Sequence, residues 1–265
     1  MKQSQFYYLL RRGLFSAGSA IIKNGLVMFN KFTTAGLNFP AQGSAEFNGT
    51  SDYIDTGIDI NTTNSLTFGA WVYRENNSIA RAIFGDGFPS ANEAAFSLIT
   101  IQGTNNLYIS YGSTSVIVAN LLPSLNQWFY LSITFDSGNI KAFVNGSELY
   151  SGSYNNAYPQ HNRSSVLGAR KNQSAPYNAF QFFNGNLANV AIWNRALSSD
   201  EINSVMWKSY EGLEGAESNG LQAWYSLDDI SSPAASLANM EQLATDKNAT
   251  IENKAAVTAA INALS

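Results

Sequence analysis

Apolar and polar side chains alternate along most of the chain in short runs that turn residues separate. Runs of this kind, with a period of two, are typical of the strands of an all-β sandwich. In 65–73, the even-numbered and the odd-numbered positions both include apolar side chains. This run therefore predicts a central strand that is covered on both faces. The predicted strands are 45–47, 53–55, 65–73, 80–84, 95–100, 106–111, 115–120, 128–135, 140–144, 147–150, 165–167, 185–193 and 221–227.

The clearest turn is Asn145-Gly146, which separates the strands 140–144 and 147–150. These two residue types accept positive φ angles, so they predict a tight type I′ hairpin. A helix is expected over 199–210, because Ser198 or Ser199 can cap it and Asp200 and Glu201 fall in its first turn. Short helices are also predicted at 5–12 and in the Ala-rich segment 254–265.

The pattern divides the chain into four parts. Glycines interrupt residues 1–40, which are expected to form an N-terminal arm for assembly or anchoring. Residues 41–212 carry the alternating strands of the sandwich. Residues 213–253 hold one further strand, which is expected to complete that sandwich, and 254–265 form the C-terminal helix.

Composition narrows the classes of function. Only 13% of the residues are charged and the formal net charge is -4, so no basic footprint for nucleic acid is present. The chain has no cysteine, which excludes disulfides, thiol nucleophiles and cysteine-ligated metals. The first twenty residues have some features of a signal peptide, but the interruption of the apolar stretch by Lys23-Asn24 favours an uncleaved arm. No stretch is long and apolar enough to predict a membrane span.

Several segments together resemble one family, the laminin-G-like or concanavalin A-like jelly-roll domains. They are EFNGTSDYIDTG (46–57), SLTFGAWVYREN (65–76), NQWFYLSITFDSGNIKAFVNGSELYSG (126–152), VLGAR (166–170) and FNGNLANVAIWNRALSSDEI (183–202). The resemblance implies an all-β, concanavalin A-like two-sheet jelly-roll sandwich, here with an N-terminal arm and short C-terminal helices. The segment GLQAWYSLDDISSP (220–233) resembles the strand that normally opens such a domain, although it comes last here.

The same fold is used by glycoside hydrolases, so catalysis has to be considered. A retaining hydrolase needs two carboxylates about 5 Å apart. Glu46, Glu93 and Glu148 are isolated near strand ends, and no run of alternating acidic residues exists. His161 is the only histidine and lacks a triad partner nearby in sequence. We therefore expect a protein that is not an enzyme.

Glycan binding would use exposed aromatic rings, and the candidates are Tyr108, Tyr111, Tyr154, Tyr158 and Tyr177. The alternative is that many of these rings face the core or a subunit contact. Calcium is the one cofactor considered, since some members of the family bind it at a loop rim. Asp52, Asp55 and Asp86 could supply its oxygen ligands, although aspartates are also ordinary turn formers.

The leading hypothesis is a non-enzymatic structural protein of a virion, such as a bacteriophage capsid decoration, head-fibre or tail component. Its partners would be other virion proteins, bound through the N-terminal arm and the C-terminal helix within a multimeric assembly, and cell-surface glycan. The alternative is a secreted or cell-surface bacterial adhesin module that binds carbohydrate. A concanavalin-fold glycoside hydrolase comes third.

Overall fold

The computed structural model describes residues 43–60, 65–87, 96–112, 114–154, 163–172 and 178–227, and the backbone of four earlier residues. The chain divides into two units, Met1–Asn38 and Phe39–Ser265. In the first unit, β1 (Phe32–Thr33) and β2 (Gly36–Leu37) form an antiparallel ribbon. All further elements belong to the second unit. The predicted helices 5–12 and 254–265 lie outside the described residues.

Seven antiparallel strands form sheet one. They are β3 (Ala45–Asn48), β5 (Ser65–Arg74), β10 (Trp128–Asp136), β11 (Asn139–Val144), β12 (Ser147–Ser153), β16 (Asn184–Trp193) and β17 (Leu221–Tyr225). Their order is β12-β11-β10-β5-β16-β17, and β3 also pairs with β16. The hairpin between β11 and β12 turns at Asn145 and Gly146 with φ angles of 51° and 78°, which confirms the predicted turn.

Six antiparallel strands form sheet two, in the order β4-β13-β6-β7-β8-β9. They are β4 (Ile54–Asp55), β6 (Arg81–Gly85), β7 (Ser97–Thr100), β8 (Leu107–Tyr111), β9 (Thr114–Val118) and β13 (Val166–Leu167). A separate ribbon consists of β14 (Arg170–Lys171) and β15 (Ala179–Phe180). The two-residue strands β14 and β15 are too short to show a period, and the sequence did not predict their pairing as a ribbon.

The main core lies between the two sheets. Each strand contributes alternate residues to it, as the period of two requires: Phe129, Leu131, Ile133 and Phe135 of β10 all belong to the main core. Aromatic rings join the sheets, with Phe68 of β5 centred 5.1 Å from Phe84 of β6. This arrangement confirms the predicted all-β, two-sheet sandwich.

A smaller apolar cluster covers the outer face of sheet one. It is built around helix α1 (Ser199–Val205), which begins at a capping box formed by Ser198 and Glu201. The helix ends sooner than the predicted residue 210. The indole N–H of Trp71 donates a 2.9 Å hydrogen bond to the carbonyl oxygen of Met206, which a further helical turn would have used. Two 3₁₀ turns follow, Tyr210–Gly212 and Gly215–Ser218.

Strand β16 has two different partners along one of its edges. β3 pairs with its first half, Asn184 to Leu187, and β17 pairs with its second half, Val190 to Trp193. The change of partner falls at a bulge, where Asn189 has a φ angle of 45°. The last described strand, β17, thus lies in the same sheet as β3, the first strand of that sheet along the chain.

Candidate functional site

The middle of the outer face of sheet two is formed by residues with unusually small side chains, and we call this surface the floor. Leu167, Phe84, Leu98 and Ile109 point into the main core, so their neighbours in sequence point outward. The register places the outward residues in one line across the sheet: Asp55, Val166, Gly85, Ser97, Ser110 and Ser115. The middle of this line is made of glycine, which has no side-chain carbon, and of serine, which has a small side chain. These residues leave room above the sheet.

Two arginines fill part of that room. A Cβ atom at Gly85 would lie 2.7 Å from Cβ of Arg170, and one at Gly87 would lie 2.7 Å from Nη2 of Arg163. The hydroxyl of Ser97 donates a 2.6 Å hydrogen bond to the carbonyl oxygen of Gly87 and holds this end of β6 in place. The absence of side chains at the two glycines is therefore what admits both arginines.

Aromatic rings stand beside the arginines. The guanidinium carbon of Arg170 lies 4.6 Å from the centre of the Phe180 ring, which is a cation–π contact. Half-buried Tyr108 lies in the neighbouring register line, between Ile99 and Ile117. We call the set Ser97, Tyr108, Ser110, Arg163, Arg170 and Phe180 the arginine face.

The two arginines of the arginine face are almost completely shielded from solvent. Arg163 and Arg170 are only 4% and 7% exposed. Burial lowers the pKa of Arg170 to about 10, and the interaction with Tyr108 acts in the opposite direction. Arg170 therefore stays charged at neutral pH. The hydroxyl of Ser110 is buried and has no hydrogen-bond partner among the described residues.

One ion pair borders the arginine face. Nζ of Lys171 donates hydrogen bonds to Oδ2 of Asp55 and to the hydroxyl of Ser164, both at 2.7 Å. Asp55 also accepts a hydrogen bond from the backbone N–H of Gly57. The Asp55 carboxylate therefore links strand β4 to Lys171 of β14 and to the turn at Gly57.

The structure separates the predicted glycan-binding tyrosines. Tyr108 lies on the arginine face, whereas Tyr111 is 2% exposed and stacked in the main core. Core packing accounts for the Tyr111 ring, and its role in glycan binding stays a prediction. Tyr154 is half-buried, and its ring packs edge-on against Tyr111 and Phe135 at the border of the core. Tyr158 and Tyr177 lie outside the described residues, in the segments 155–162 and 173–177 respectively. In sequence, the first segment ends just before Arg163 and the second begins just after Asn172.

The three candidate calcium ligands hold separate hydrogen bonds. Asp52 accepts from the backbone N–H of Asn48, and Asp86 accepts from that of Phe96. Asp86 is completely buried, whereas Asp52 lies in a turn near the surface. Within the described ranges, no group of three or more acidic or histidine side chains could hold a metal ion. The calcium site stays a prediction.

The isolated glutamates stay apart in the fold. Glu46 lies on β3 and Glu148 on β12, which are at opposite ends of sheet one. Glu148 is paired with Lys141 at 2.9 Å. Glu93 and His161 lie outside the described residues. The described part of the chain therefore does not bring Glu46 and Glu148 together as a hydrolase would require.

Sequence reasoning missed most of the arginine face. Arg170 stands at the end of the VLGAR segment, but nothing in the segment shows that it crosses the outer face of sheet two. The available signal was the pair of glycines at 85 and 87, because glycine at a strand end marks the close approach of another group.

The chain matches the model of the concanavalin A-like lectin/glucanases superfamily over residues 48–203, more than half of its length. It belongs to this superfamily. A comparison with curated protein sequences gave no match.

Solved structures with the same fold include carbohydrate-binding proteins. A putative carbohydrate binding protein from Bacteroides ovatus has a TM-score of 0.54 at 16% identity, and the match covers 73% of this chain and 54% of that one. The CBM40 domain of a Ruminococcus gnavus IT-sialidase has a TM-score of 0.51 at 13% identity, covering 63% and 97%. A point mutant of the NanB sialidase of Streptococcus pneumoniae has a TM-score of 0.52 at 15% identity, covering 65% of this chain and 29% of the sialidase.

The chain thus spans about half of the Bacteroides protein and less than a third of the sialidase. At these identities, the likeness establishes the fold. Within the described residues, no helix is both long and apolar enough to cross a membrane.

Proposed function

We propose that this chain is a non-catalytic carbohydrate-binding sandwich and that the arginine face is its glycan site. The observation that carries the proposal is the placement of two aromatic rings, Tyr108 and Phe180, with the Arg170 guanidinium above a floor of glycine and serine. The similar structures that are described as carbohydrate-binding support it.

The chemistry of the face suits a hydroxyl-rich ligand. Aromatic rings offer flat apolar surfaces to the C–H faces of a sugar, and guanidinium groups donate several hydrogen bonds in a fixed geometry. A few fixed polar groups within an apolar frame are the usual composition of a small-ligand site.

Hydrolysis of a glycan would require a different set of groups. It needs a carboxylic acid and a second carboxylate that flank the bond to be cleaved. None of the six residues that define the arginine face carries a carboxylate.

A glycan array with the full chain tests the proposal, followed by calorimetry with the best ligand. We expect Tyr108→Ala to weaken binding by tenfold or more, about 1.4 kcal/mol. The matched control is Tyr73→Ala, because Tyr73 is also half-buried but lies on the outer face of sheet one. Equal binding by both variants, or equal loss in both, would contradict the assignment of the site.

The setting in which the sandwich is displayed is a separate question, and two candidates stand. One is a virion structural protein that carries the sandwich as a capsid decoration, head fibre or tail part, which the low share of charged residues suits. The other is a secreted or cell-surface module, which the carbohydrate-binding relatives in fold favour. Mass spectrometry of purified particles distinguishes them: the chain is present among particle proteins only in the first case.

A further inference from the structure

Trp207 is a large aromatic side chain that lies mostly in solvent. It follows helix α1 and is 54% exposed, whereas Trp71, Trp193 and Trp224 are at most 7% exposed. Tryptophan is among the residue types most enriched where proteins bind one another, because a partner that covers its ring removes a large apolar area from water. The exposure of Trp207 therefore marks a candidate interface.

The Trp207 ring is exposed but held in place. Its centre lies 5.3 Å from that of Trp71, and the two ring planes are inclined by 57°. The indole N–H of Trp71 also donates to the carbonyl oxygen of Met206, the residue before Trp207. A side chain that is already ordered loses little conformational entropy when a partner covers it. Trp207 therefore meets the requirement for a preorganised contact.

Trp207 shares one side of the helix with two polar residues. Asp200, Asn203 and Trp207 are all exposed, and their spacing of three and four positions places them in one row. Ile202 and Val205 are buried on the other side, in the cluster on the outer face of sheet one. We call the row of Asp200, Asn203 and Trp207 the Trp207 face.

The net charge of the chain is concentrated around this row. Residues 199–217 contain one basic residue, Lys208, and five acidic residues: Asp200, Glu201, Glu211, Glu214 and Glu217. The rest of the chain carries fourteen acidic and fourteen basic residues, so its formal charge is zero. The whole formal charge of -4 therefore belongs to this one segment.

Two of the five acidic residues are neutralised within the fold. Glu201 pairs with Arg195, and Glu217 pairs with Lys208, both at 2.7 Å. These two pairs stabilise the segment itself and leave little charge for a partner.

Three carboxylates remain for a partner. Asp200 and Glu211 are exposed, and neither takes part in an ion pair with another described residue. Glu214 lies 3.5 Å from Lys208, but its side chain is 85% exposed. The surface around Trp207 is therefore negatively charged.

We propose that the Trp207 face binds a basic segment of another protein, with a lysine or arginine side chain on the Trp207 ring. Among aromatic side chains, tryptophan forms the strongest cation–π contacts. The exposed carboxylates attract a positive partner and raise its rate of association. The proposal rests on this face alone and does not depend on the arginine face.

The charge also decides against other occupants. Two copies of the chain that met through this face would bring like charges together, which opposes a symmetric dimer here. Nucleic acid and anionic lipid surfaces are repelled for the same reason. A positively charged partner is the one whose attraction the exposed carboxylates increase.

The position of the face allows two ligands at once. Helix α1 covers the outer face of sheet one, whereas the arginine face lies on the outer face of sheet two. The main core separates these two surfaces. A partner on the Trp207 face would therefore leave the opposite side of the sandwich accessible.

Calorimetry of the full chain with blocked peptides tests the proposal. The probe is a peptide of alternating lysine and glycine, and its control has glutamine in place of each lysine. We expect the lysine peptide to bind, and the glutamine peptide to bind about tenfold more weakly or worse. The titrations use about 0.15 M salt, at which charges more than about 8 Å apart are largely screened.

Variants of the ring separate the cation–π contact from the charge. Trp207→Leu should raise the dissociation constant of the lysine peptide about fivefold, because it removes the aromatic ring and leaves every charge in place. Trp207→Phe keeps an aromatic face and should retain most of the binding. Circular dichroism confirms that both variants are folded, as the exposed position should allow.

A pair of charge variants provides the matched control. Glu211→Gln should weaken binding of the lysine peptide about twofold to fivefold. Glu75→Gln removes the same charge from an exposed position beyond the end of β5 and should bind like the unmodified chain.

Four outcomes would overturn the proposal. The first is equal binding, or equal absence of binding, with the lysine and glutamine peptides. The second is a Trp207→Leu variant that binds the lysine peptide like the unmodified chain, and the third is equal weakening by Glu211→Gln and Glu75→Gln. The fourth is a dimer of the unmodified chain, measured by sedimentation equilibrium, that Trp207→Leu dissociates, since a second copy would then be the occupant.

Discussion

The ring of Tyr111 stacks on the ring of Phe135 across the sandwich, with the ring centres 4.0 Å apart and the planes inclined by 18°. Phe96 and Tyr154 pack edge-on against the same pair. Tyr111 comes from sheet two and Phe135 from sheet one, so this contact joins the two layers. Aromatic pairs of this kind contribute beyond the apolar area that they bury.

Replacing Tyr111 should therefore destabilise the fold strongly. We expect Tyr111→Ala to lower the free energy of unfolding by about 3–5 kcal/mol, the usual range for removing a buried aromatic ring. Tyr108→Ala should cost about 1 kcal/mol or less, because Tyr108 lies on the outer face of the same strand. Urea unfolding measures both values. Equal losses would contradict the assignment of the two tyrosines to opposite faces.

Gly168 is a position where a side chain cannot be accommodated. Its φ angle is +74°, and a Cβ atom would overlap the ring of Phe47. We expect Gly168→Ala to lower the free energy of unfolding by about 2–5 kcal/mol, from the left-handed backbone and the overlap together.

Gly103 provides the matched control for this change. Its φ angle is +69°, but no atom of the described residues lies within 4 Å of the place that a Cβ atom would take. Gly103→Ala should therefore cost only the backbone contribution, about 1 kcal/mol. Thermal and urea unfolding give the two values. A Gly168→Ala variant as stable as Gly103→Ala would show that Phe47 moves aside freely.

The ion pair of Lys171 and Asp55 should contribute more than an exposed pair. The Lys171 side chain is 11% exposed and that of Asp55 is 27% exposed. Removing the carboxylate in Asp55→Ala leaves a largely buried ammonium group that keeps its hydrogen bond to the Ser164 hydroxyl but loses its counter-charge. We expect a loss of about 2–3 kcal/mol in the free energy of unfolding.

Glu148→Ala is the control for Asp55→Ala, since Glu148 forms a pair of similar length with Lys141. The Lys141 and Glu148 side chains are 45% and 35% exposed. Exposed pairs contribute less than about 1 kcal/mol.

Adding calcium to Asp55→Ala, to Glu148→Ala and to the unmodified chain also tests the predicted metal site. A calcium-dependent rise in melting temperature that Asp55→Ala removes would support Asp55 as a ligand.

Acid should weaken the start of helix α1. Hydrogen bonds from Arg195 and, to a smaller degree, Ser198 hold the pKa of Glu201 below its ordinary value of 4.5, although burial acts against them. A carboxylate with a lowered pKa in the folded state stabilises the fold above its ordinary pKa. That contribution is lost as the pH falls through the lowered value.

Glu201→Gln isolates this effect, because glutamine cannot be protonated in this range. At neutral pH the variant should be less stable than the unmodified chain by about 1 kcal/mol, and the difference should shrink as the pH falls below 4.5. Urea unfolding over a series of pH values measures it. A difference that is constant across the series would contradict the role of the ionised carboxylate.

The strands could be predicted from the sequence because each one places its apolar residues at every second position. The same rule separates Tyr108 from Tyr111. Leu107 and Ile109 share a face with Tyr111, whereas Ser110 shares a face with Tyr108, so the pattern already indicated opposite sides.

The arginine face was not predictable in the same way. Arg163 and Arg170 come from segments that are distant in sequence from Ser97 and Tyr108, and only the pairing of β6, β7, β8 and β13 brings them together. The early end of helix α1 depends on Trp71, which lies 135 positions from its hydrogen-bond partner Met206. Contacts between such distant positions leave no local pattern.

Strand β16 shares one edge between β3 and β17, and this division has a consequence for synthesis. While the ribosome is still making residues 221–225, β5 is the one described strand with which Ala191 to Trp193 of β16 can pair. Trp224 and Tyr225, both almost fully buried in the finished fold, reach their places after every other described strand exists. A nascent chain therefore carries an unclosed seam until residues 221–225 have left the exit tunnel, and a chain that stops at Trp207 could never close it.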